Sequence, residues 1–302
     1  MNYKLDLILI FKTAFSSWFL TRLILPYLKL NILDLPNKRS SHNRPKPSGG
    51  GISFVVIITL FSILKHQYDV LLILPLAFIG FVDDFKPLSA KVRYFAQLIT
   101  SIGILLFYKY NSLNLQVSNL LLVMFILISI TAIINFTNFM DGLDGLATGS
   151  MVIIFAVVAV KVSISAWLIV GALLGFLIFN WYPSKVFMGD GGSTFLGALF
   201  CIYLFKANES LEILGLLLVA TPFFIDPLTC VLRRLINRQN IFQAHKLHLF
   251  QRLHQAGWSH AKVSTIYILS TLGLALIYLI FGINYLIVST IIVTVLGYGN
   301  GV

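Results

Sequence analysis

Five of the chain's 11 acidic residues lie in three short polar segments, each at the end of a long apolar run. They are Asp83 and Asp84 in GFVDDFKPLSAKVR, Asp141 and Asp144 in NFTNFMDGLDGLATG, and Asp190 in KVFMGDGGSTFLG. A carboxylate beside a bilayer is costly, and a chain that keeps several commonly uses them for a cation or a reaction. If the three segments open on the same side of a membrane, they can form one site for a metal ion and a phosphate.

The adjacent pair Asp83 and Asp84 favours acid–base or metal chemistry. Two neighbouring carboxylates repel each other, and burial at a membrane boundary raises their pKa values unless a cation compensates. Lys86, Lys91 and Arg93 follow closely and could supply that charge or bind phosphate. We interpret the pair as a general base beside a metal-facing acid. The alternative is a solvated loop that caps a helix.

The second segment carries two carboxylates and two amides at a helical spacing. Asp141 and Asp144 are three residues apart, so one helical turn would place both on one face. Asn135 and Asn138 repeat that spacing and add amide donors and acceptors. The glycines among them let the backbone approach a ligand or a neighbouring helix. The alternative is a turn followed by a tightly packed helix, which would not require so many polar side chains.

The third segment, FMGDGGST, places Asp190 directly before an apolar run. Glycines that precede a helix leave backbone N–H groups open to an anion, which the helix N-terminus also favours. Upstream, Asn180 could hydrogen-bond to a planar base and Phe187 could stack on it. The alternatives are a simple helix cap at Asp190 and ordinary packing at the other two positions.

A fourth polar stretch, NRQNIFQAHKLHLFQRLHQAGWSH, is rich in histidine and arginine. If it is helical, His245, His248 and Arg252 share one face and could donate hydrogen bonds to a substrate phosphate or sugar. The apolar residues expected to rest on the membrane surface are Leu249, Phe250 and Leu253. Two histidines at this spacing could bind zinc, but no nearby Cys or Glu completes a ligand set. Donors for a substrate are the better interpretation.

The elements that must position these residues are membrane spans. The chain has 302 residues, of which 58% are hydrophobic and 11% are charged, which indicates an integral membrane protein. We predict an all-α polytopic fold with about eleven spans. They lie near 5–28, 50–64, 69–82, 94–108, 116–134, 145–160, 163–181, 192–206, 211–232, 263–281 and 283–299. Residues 1–302 form one domain, with polar loops at 29–49, 83–93, 135–144, 182–191 and 233–262.

The distribution of positive charge predicts the orientation of the spans. A net charge of +11 could suggest a nucleic-acid partner, but 15 of the 22 Lys and Arg residues lie in the odd-numbered connections and only five lie in the N-terminus and even ones. This is a positive-inside bias, so the odd loops are expected to be cytoplasmic. The N-terminus is then periplasmic and the C-terminus cytoplasmic. All the polar loops are odd, so we expect function on the cytoplasmic face and no nucleic acid.

Together, these motifs resemble the polyprenyl-phosphate N-acetylhexosamine-1-phosphate transferase family, of the glycosyltransferase 4 type. The resemblance extends from LDLPNKRSSHNRPKPSGGG through DD, NFTNFMDGLDGLATG and NWYPSKVFMGDGGS to HKLHLFQRLHQAGWSH. The last stretch is most similar to the branch that starts O-antigen repeats. The family also contains phospho-N-acetylmuramoyl-pentapeptide transferase, whose consecutive histidines are here replaced by the separated His245 and His248.

The resemblance implies a role for several residues. Asp190 is expected to bind Mg²⁺, Asp83 to act as the base or phosphate activator, and Asp84 to support the metal site. Contacts to the nucleotide-sugar are implied for Asp141 and Asp144. The remaining implied contacts are Asn180 and Phe187 with uracil and Lys46 with the diphosphate.

The implied reaction is the transfer of an N-acetylhexosamine 1-phosphate from a UDP-sugar to undecaprenyl phosphate. It releases UMP, requires Mg²⁺ (with Mn²⁺ able to substitute) and starts a lipid-linked glycan such as O-antigen in the bacterial inner membrane. Direct attack of undecaprenyl phosphate on the UDP-sugar is favoured over a covalent aspartyl intermediate. The identity of the sugar is left open, and so is a homodimer, for which Gly171 and Gly175 offer one close-packing face.

The alternative function is a polytopic transporter with a cation site on the cytoplasmic side. A transporter usually keeps its acids at mid-membrane in broken helices, often with inverted repeats. Here only Asp226 lies deep in a predicted span, and Pro227 follows it. We interpret that pair as a kink or a structural hydrogen bond.

Overall fold

The computed structural model describes residues 3–36, 41–42, 44–111, 120–240 and 246–298. His245, one of the predicted substrate-binding residues, lies outside these ranges. The helices are α1 Tyr3–Asn31, α2 Ile52–Leu64, α3 Leu74–Phe85, α4 Ala90–Asn111, α5 Leu120–Phe139, α6 Leu146–Lys161, α7 Trp167–Asn180, α8 Gly189–Lys206, α9 Ser210–Val219, α10 Thr221–Ile236, α11 Leu249–Gln255, α12 His260–Phe281 and α13 Ile283–Tyr298. Short 3-10 segments, Tyr68–Ile73 and Ile164–Ala166, precede α3 and α7.

The described residues contain only two strands, each of two residues. These are β1 (Leu33–Asp34) and β2 (Lys46–Pro47), which pair antiparallel with Asp34 opposite Lys46. The fold is therefore all-α, as predicted, with one small ribbon. This ribbon brings the chain back to the end of α1 and fixes the direction in which Lys46 leaves it.

Within the described residues, each predicted span coincides with one helix or with two consecutive helical segments, and residues 116–119 and 299 of the predicted spans lie outside them. Four helices are long and apolar enough to cross a membrane, and the pair α9 and α10 would make a fifth although it is bent by 78°. Four further apolar segments have 10–17 residues. An all-α membrane protein agrees with this arrangement, while the count of eleven spans and their orientation stay predictions.

Helix α8 forms the centre of the molecule. Its residues from Gly191 to Tyr203 are all buried, and it packs against α2, α3, α4, α5, α6 and α9. The residues that surround it are apolar on most sides, which explains why α8 shows no separate polar face. Polar residues of the neighbouring helices converge at its N-terminus.

The face of α7 that carries Gly171 and Gly175 is covered within the chain. A Cβ at Gly171 would lie 2.1 Å from the Thr13 side chain, and a Cβ at Gly175 would lie 2.1 Å from the Ala14 carbonyl oxygen. Both contacts belong to α1, so the close approach of α1 to α7 requires these glycines. This face is therefore not open to a second copy of the chain, which corrects the suggestion of a dimer contact there.

Candidate active site

The carboxylate of Asp84 caps the N-terminus of α8. Its Oδ1 accepts a hydrogen bond from the backbone N–H of Asp190 at 2.9 Å, and its Oδ2 accepts one from Gly191 at 3.3 Å. Ser48 Oγ donates to the same carboxylate at 3.3 Å. The first amides of a helix have no partner within the helix, so an acid from another element stabilises them and the positive end of the helix dipole. In this structure Asp84 positions the segment that carries Asp190.

Glycines make this close approach of α3 and α8 possible. A Cβ at Gly80 would lie 2.7 Å from the backbone of Asp190, and a Cβ at Gly191 would lie 2.9 Å from the backbone of Phe81. Gly189 has φ +79°, and a Cβ there would lie 2.4 Å from Asp84 Oδ2. The F-I-G-F and G-D-G-G motifs therefore interlock, which sets the distance between the two acidic segments.

Asp83 and Asp190 share a single guanidinium group. Arg93 Nη1 lies 3.2 Å from Asp83 Oδ2 and 3.2 Å from Asp190 Oδ2. Asn138 Nδ2 donates to Asp190 Oδ1 at 2.8 Å, and the backbone N–H of Leu88 donates to Asp83 Oδ1. Four elements, α3, α4, α5 and α8, thus meet at two carboxylates. The Asp83 side chain is 8% exposed, whereas that of Asp190 keeps 30% of its area open to solvent.

Asp141 adds a further carboxylate beside this pair. The backbone N–H of Gly189 donates to it, and the charges of Asp190, Asp84 and Asp144 act on it. Partial burial, followed by these charges, raises the pKa of Asp141 well above its ordinary value. The structure therefore brings Asp83, Asp84, Asp141 and Asp190 together, as the sequence predicted for acids of one site.

The crowding of these acids favours a cation. Burial and the charge of Asp190 raise the pKa of Asp84 from 3.8 to about 8, and burial with the Asp83 carboxyl raises the pKa of Asp190 to about 6. Among the described residues, no group of three or more His, Cys, Asp or Glu side chains could hold a metal by itself. This donor set fits Mg²⁺, which is commonly bound by one or two carboxylates together with waters and substrate phosphates.

Asp144 belongs to a second, adjoining cluster. It is 1% exposed and accepts hydrogen bonds from the Ser184 hydroxyl at 2.8 Å and from Lys46 Nζ at 3.2 Å. His260 Nδ1 lies 3.4 Å from its Oδ1. Burial acts to raise the pKa of Asp144, but the hydrogen bonds from His260 and Ser184 and the charge of Lys46 hold that pKa below its ordinary value. Asp144 thus joins the loop before α2, the loop before α8 and α12.

Phe187 lies on the open side of this second cluster. The ring lies 5.0 Å from Lys46 Nζ and 5.0 Å from the His42 ring, measured to its centroid. Its backbone N–H donates to Pro47 O at 2.8 Å, and Gly50 N–H donates to its carbonyl oxygen at 2.9 Å. The K-P-S-G-G-G segment therefore runs along the segment before α8 and holds the Phe187 ring beside a cation.

Two predicted substrate-binding amides have protein partners instead. Asn135 exchanges hydrogen bonds with the buried amide of Gln97, at 2.5 Å and 3.2 Å, which ties α4 to α5. Asn180 is 2% exposed, accepts from Thr148 Oγ1 at 2.7 Å and donates to Val186 O at 3.1 Å. Asn180 thus fixes the turn that leads to Phe187. Their predicted contacts with substrate stay predictions.

The histidine-rich stretch is less helical than predicted. The helix α11 begins only at Leu249, and His248 is its N-cap. The predicted helical face from His248 to Arg252 is therefore wrong at His248, which precedes the helix. Phe250 was expected at the membrane surface, but it is fully buried, and a Cβ at Gly142 would lie 2.8 Å from its ring. Arg252 lies at a small cleft between α10 and α11, lined by Asp226, Thr229, Cys230, Arg233, Leu247, Leu249 and Arg252.

Several residues of the site could not be identified from the sequence. Arg93 was one of three nearby cations, and only the structure singles it out. His260 stands alone in the sequence, and Ser184 and Gln97 are unremarkable polar residues there. The role of each residue depends on a partner that is distant in the chain, so no local sequence pattern reveals that role.

Comparison with protein families assigns the class of this protein. Residues 67–208 match glycosyl transferase family 4. The matched region runs from the 3-10 segment before α3 to the turn after α8 and includes every carboxylate of the two clusters. The chain belongs to glycosyl transferase family 4 and is a transferase.

Individual relatives give a more specific similarity. The chain is 32% identical over 290 residues to a probable undecaprenyl-phosphate N-acetylglucosaminyl 1-phosphate transferase of Bacillus subtilis, covering 87% of this chain and 79% of the relative. It is 30% identical over 274 residues to the phospho-N-acetylmuramoyl-pentapeptide-transferase of Clostridioides difficile, covering 78% and 83%. The Staphylococcus epidermidis enzyme of that name is 29% identical over 262 residues, covering 73% and 80%.

Proposed function

We propose that this protein transfers an N-acetylhexosamine 1-phosphate from a UDP-sugar to undecaprenyl phosphate and releases UMP. The observation that carries the proposal is the convergence of Asp83, Asp190 and Arg93 at the N-terminus of α8, beside the cluster of Lys46 and Phe187. The first cluster supplies oxygen ligands and the second a cation beside an aromatic ring. The relatives' names, undecaprenyl-phosphate N-acetylglucosaminyl 1-phosphate transferase above all, support the same substrates.

The residues present fit a resident Mg²⁺ ion. Asp190 is the more exposed carboxylate and would hold it, with Asp83 adjacent and Asp84 fixing the backbone of Asp190. When bound, Mg²⁺ neutralises charge on the donor diphosphate. Asn138 holds the Asp190 carboxylate in place.

The transfer itself is a displacement at phosphorus. A phosphate oxygen of undecaprenyl phosphate forms a bond to the β-phosphorus of the UDP-sugar, and the bond from that phosphorus to the oxygen bridging the two phosphates breaks. The electron pair leaves with UMP. The nucleophile is already anionic near neutral pH, so Asp83 accepts any remaining proton or orients the phosphate. Arg93 carries a positive charge at the same place, where charge builds up on the phosphoryl oxygens.

The donor nucleotide is assigned to the second cluster. Phe187 offers a ring face for uracil, and Lys46 lies between that ring and the Asp144 carboxylate. Asn180 holds the backbone before Phe187, and Ser184 holds Asp144. A planar base and an anionic diphosphate are the two chemical groups that such a combination recognises.

We further infer a multi-pass protein of the bacterial inner membrane with its site on the cytoplasmic face. The positive-inside distribution and the helices that are long and apolar enough to cross a membrane support this location. The start of O-antigen synthesis, the sugar and a homodimer stay predictions. The gathering of Asp83, Asp84, Asp141 and Asp190 at one end of the bundle and the membership of a transferase family favour the transferase over the transporter.

The decisive experiment is transfer by the purified protein in detergent. Radiolabelled UDP-N-acetylglucosamine, UDP-N-acetylgalactosamine, UDP-N-acetylfucosamine and UDP-N-acetylquinovosamine are each supplied with undecaprenyl phosphate and Mg²⁺. We expect labelled lipid and UMP with at least one donor, loss of both with EDTA, and recovery with Mg²⁺ or Mn²⁺. Absence of lipid product with every donor, or undiminished product in EDTA, contradicts the proposal.

A further inference from the structure

A buried carboxylate outside both clusters organises α11. Asp226, in the sixth position of α10, is 1% exposed. Its Oδ1 accepts from the backbone N–H of Leu249 at 2.7 Å, and its Oδ2 accepts from Phe250 N–H at 3.1 Å and from Tyr267 OH at 2.6 Å. A buried carboxylate is stable only when donors replace its water, and here three do so. The sequence prediction of a structural hydrogen bond at this position is confirmed.

The same carboxylate determines where α11 begins. The helix has seven residues, which is too short to be stable alone. Its first two amides are the ones that Asp226 accepts from, so α10 and α12 fix the start of α11 together with the capping box that His248 and Gln251 form. The side chain that this arrangement presents is the N-cap, His248.

Asp226 also orients the His248 ring. His248 Nδ1 lies 3.5 Å from Asp226 Oδ1, and the ring stacks on Phe250 with 5.6 Å between centroids and 15° between planes. The His248 side chain also accepts from the backbone N–H of Gln251 in the capping box of α11, so the ring is held by Asp226, Phe250 and the first turn of this helix.

The orientation matters because His248 borders the acidic cluster. Its ring lies 5.9 Å from that of Phe139, the last residue of α5, and the preceding residue, Asn138, donates to Asp190. Phe250 packs against Gly142, in the same turn as Asp141 and Asp144. Asp226 thus connects the bent helix α10, through α11, to the segment that carries the acids.

We infer that Asp226 is a positioning residue of the transfer reaction: held by Tyr267 and the amides of α11, it sets the place and orientation of the His248 ring. The inference rests on the proposed function, and it goes further by assigning a role to a carboxylate outside both clusters. Asp226 touches no substrate in this scheme and acts through His248 alone.

The test compares two tyrosines in equivalent settings. Tyr267→Phe removes the hydroxyl that donates to Asp226 at 2.6 Å, and Tyr108→Phe removes the hydroxyl that donates to another buried acid, Asp69, also at 2.6 Å. Asp69 pairs with Lys206 at the other end of α8. The two variants therefore lose the same kind of hydrogen bond, and only one of them lies next to His248.

The first measurement is the pair of ring ¹⁵N shifts of His248 in histidine-labelled protein, assigned by their loss in His248→Gln. We expect Tyr267→Phe and Asp226→Asn to move these shifts, because the surroundings of the ring change, and Tyr108→Phe to leave them unchanged. This reading needs no turnover. Unchanged shifts in Asp226→Asn and Tyr267→Phe would overturn the inference even if both variants lost stability.

The second measurement is kinetic. We expect Asp226→Asn to lower kcat about 10-fold, as loss of a group that orients a functional histidine commonly does. In the His248→Gln background the same change should have little further effect, because its route of action is already removed. If the two losses of kcat multiply in the variant that carries both Asp226→Asn and His248→Gln, the role of Asp226 is purely structural and the inference is overturned. If the unaltered protein transfers no UDP-sugar, the proposed function fails, and the nitrogen shifts still decide whether Asp226 sets the ring.

Discussion

At the scale of single residues, Asp83 and Asp190 both contact Arg93 but differ in how far they are exposed. Asp190 is open enough for a cation and a substrate phosphate, whereas Asp83 is nearly covered. We expect Asp190→Asn and Asp83→Asn each to lower kcat at least about 100-fold, because each removes charge where the phosphoryl group reacts. Radiolabelled transfer measures this, with Glu209→Gln, an exposed acid of the far loop, as the control.

Asn is close to Asp in size, so folding should survive in both variants. Membrane insertion and elution as a single species check this point. Near-normal turnover by either purified variant would remove the role given to that residue, without affecting the role of the other.

Phe187 tests the nucleotide subsite. Stacking of a base on an aromatic ring contributes about 1–3 kcal/mol, so Phe187→Ala should raise KM for the UDP-sugar roughly 10-fold and leave KM for undecaprenyl phosphate nearly unchanged. Phe187→Tyr, which keeps the ring, serves as the control. Equal increases in the two KM values would contradict a uracil stack.

Lys46 tests the buried ion pair with Asp144. Removing one partner leaves a buried carboxylate without its cation, and because Lys46 is 21% exposed we expect the lower end of the usual cost, about 3 kcal/mol, for Lys46→Met. Unfolding in detergent is the measurement. Lys185→Met, an exposed lysine on the same loop as Ser184, is the control and should change little.

The pH dependence has a definite sign. The folded-state pKa of Asp144 lies below 3.8, so its stabilising contribution is present at neutral pH and is lost only as pH falls through that low value. In Lys46→Met the pKa of Asp144 rises, and protonation then relieves the unpaired charge. The stability difference between the two proteins should therefore be largest at pH 8 and smaller at pH 5. A difference that grows on acidification would refute the ion pair.

At the scale of elements, the site depends on how closely α3 approaches α8. A Cβ at Gly80 would lie 2.7 Å from the Asp190 backbone, which cannot yield as a flexible side chain can. We expect Gly80→Ala to displace α8 from Asp84, destabilise the protein by about 1–3 kcal/mol and abolish most transfer. Gly103→Ala in α4 is the matched control, since nothing lies within 4 Å of its Cβ, and it should be neutral or slightly stabilising.

The elements also show where sequence reasoning succeeds and fails. Long apolar runs predict helices well, and the described part of every predicted span lies in helical segments. The start of α11 was misjudged because it depends on Asp226, a residue more than 20 positions away, as well as on the capping box of His248 and Gln251. Phe250 was placed at the membrane surface for the same reason: an apolar residue in a polar stretch does not reveal that Gly142 leaves room for it.

At the scale of the whole molecule, convergence of the acidic segments could be predicted but their partners could not. The loop numbering required Asp83, Asp141 and Asp190 to share one end, and their contacts bear this out. The division into an acidic cluster and a Lys46–Asp144 cluster is not visible in spacing, because it arises from how loops far apart in sequence pack together. Likewise, the sequence does not reveal the protein partners of Asn135 and Asn180.

The two ends of the bundle give the last prediction. Arg93 bridges Asp83 and Asp190 at one end, and Lys206 pairs with Asp69 at 2.6 Å at the other, so the two ends of α8 must face opposite sides of any membrane it crosses. The positive-inside bias assigns the first end to the cytoplasm.

Single cysteines at the exposed positions Lys86 and Lys185 should react with a membrane-impermeant thiol reagent only in inverted vesicles, and those at Lys65 and Asn208 only in intact cells. The native Cys201 and Cys230 are buried, and their replacement by Ala gives the unreactive background. Labelling of 86 and 208 from the same side would contradict both the orientation and the one-sided site on which the transfer depends.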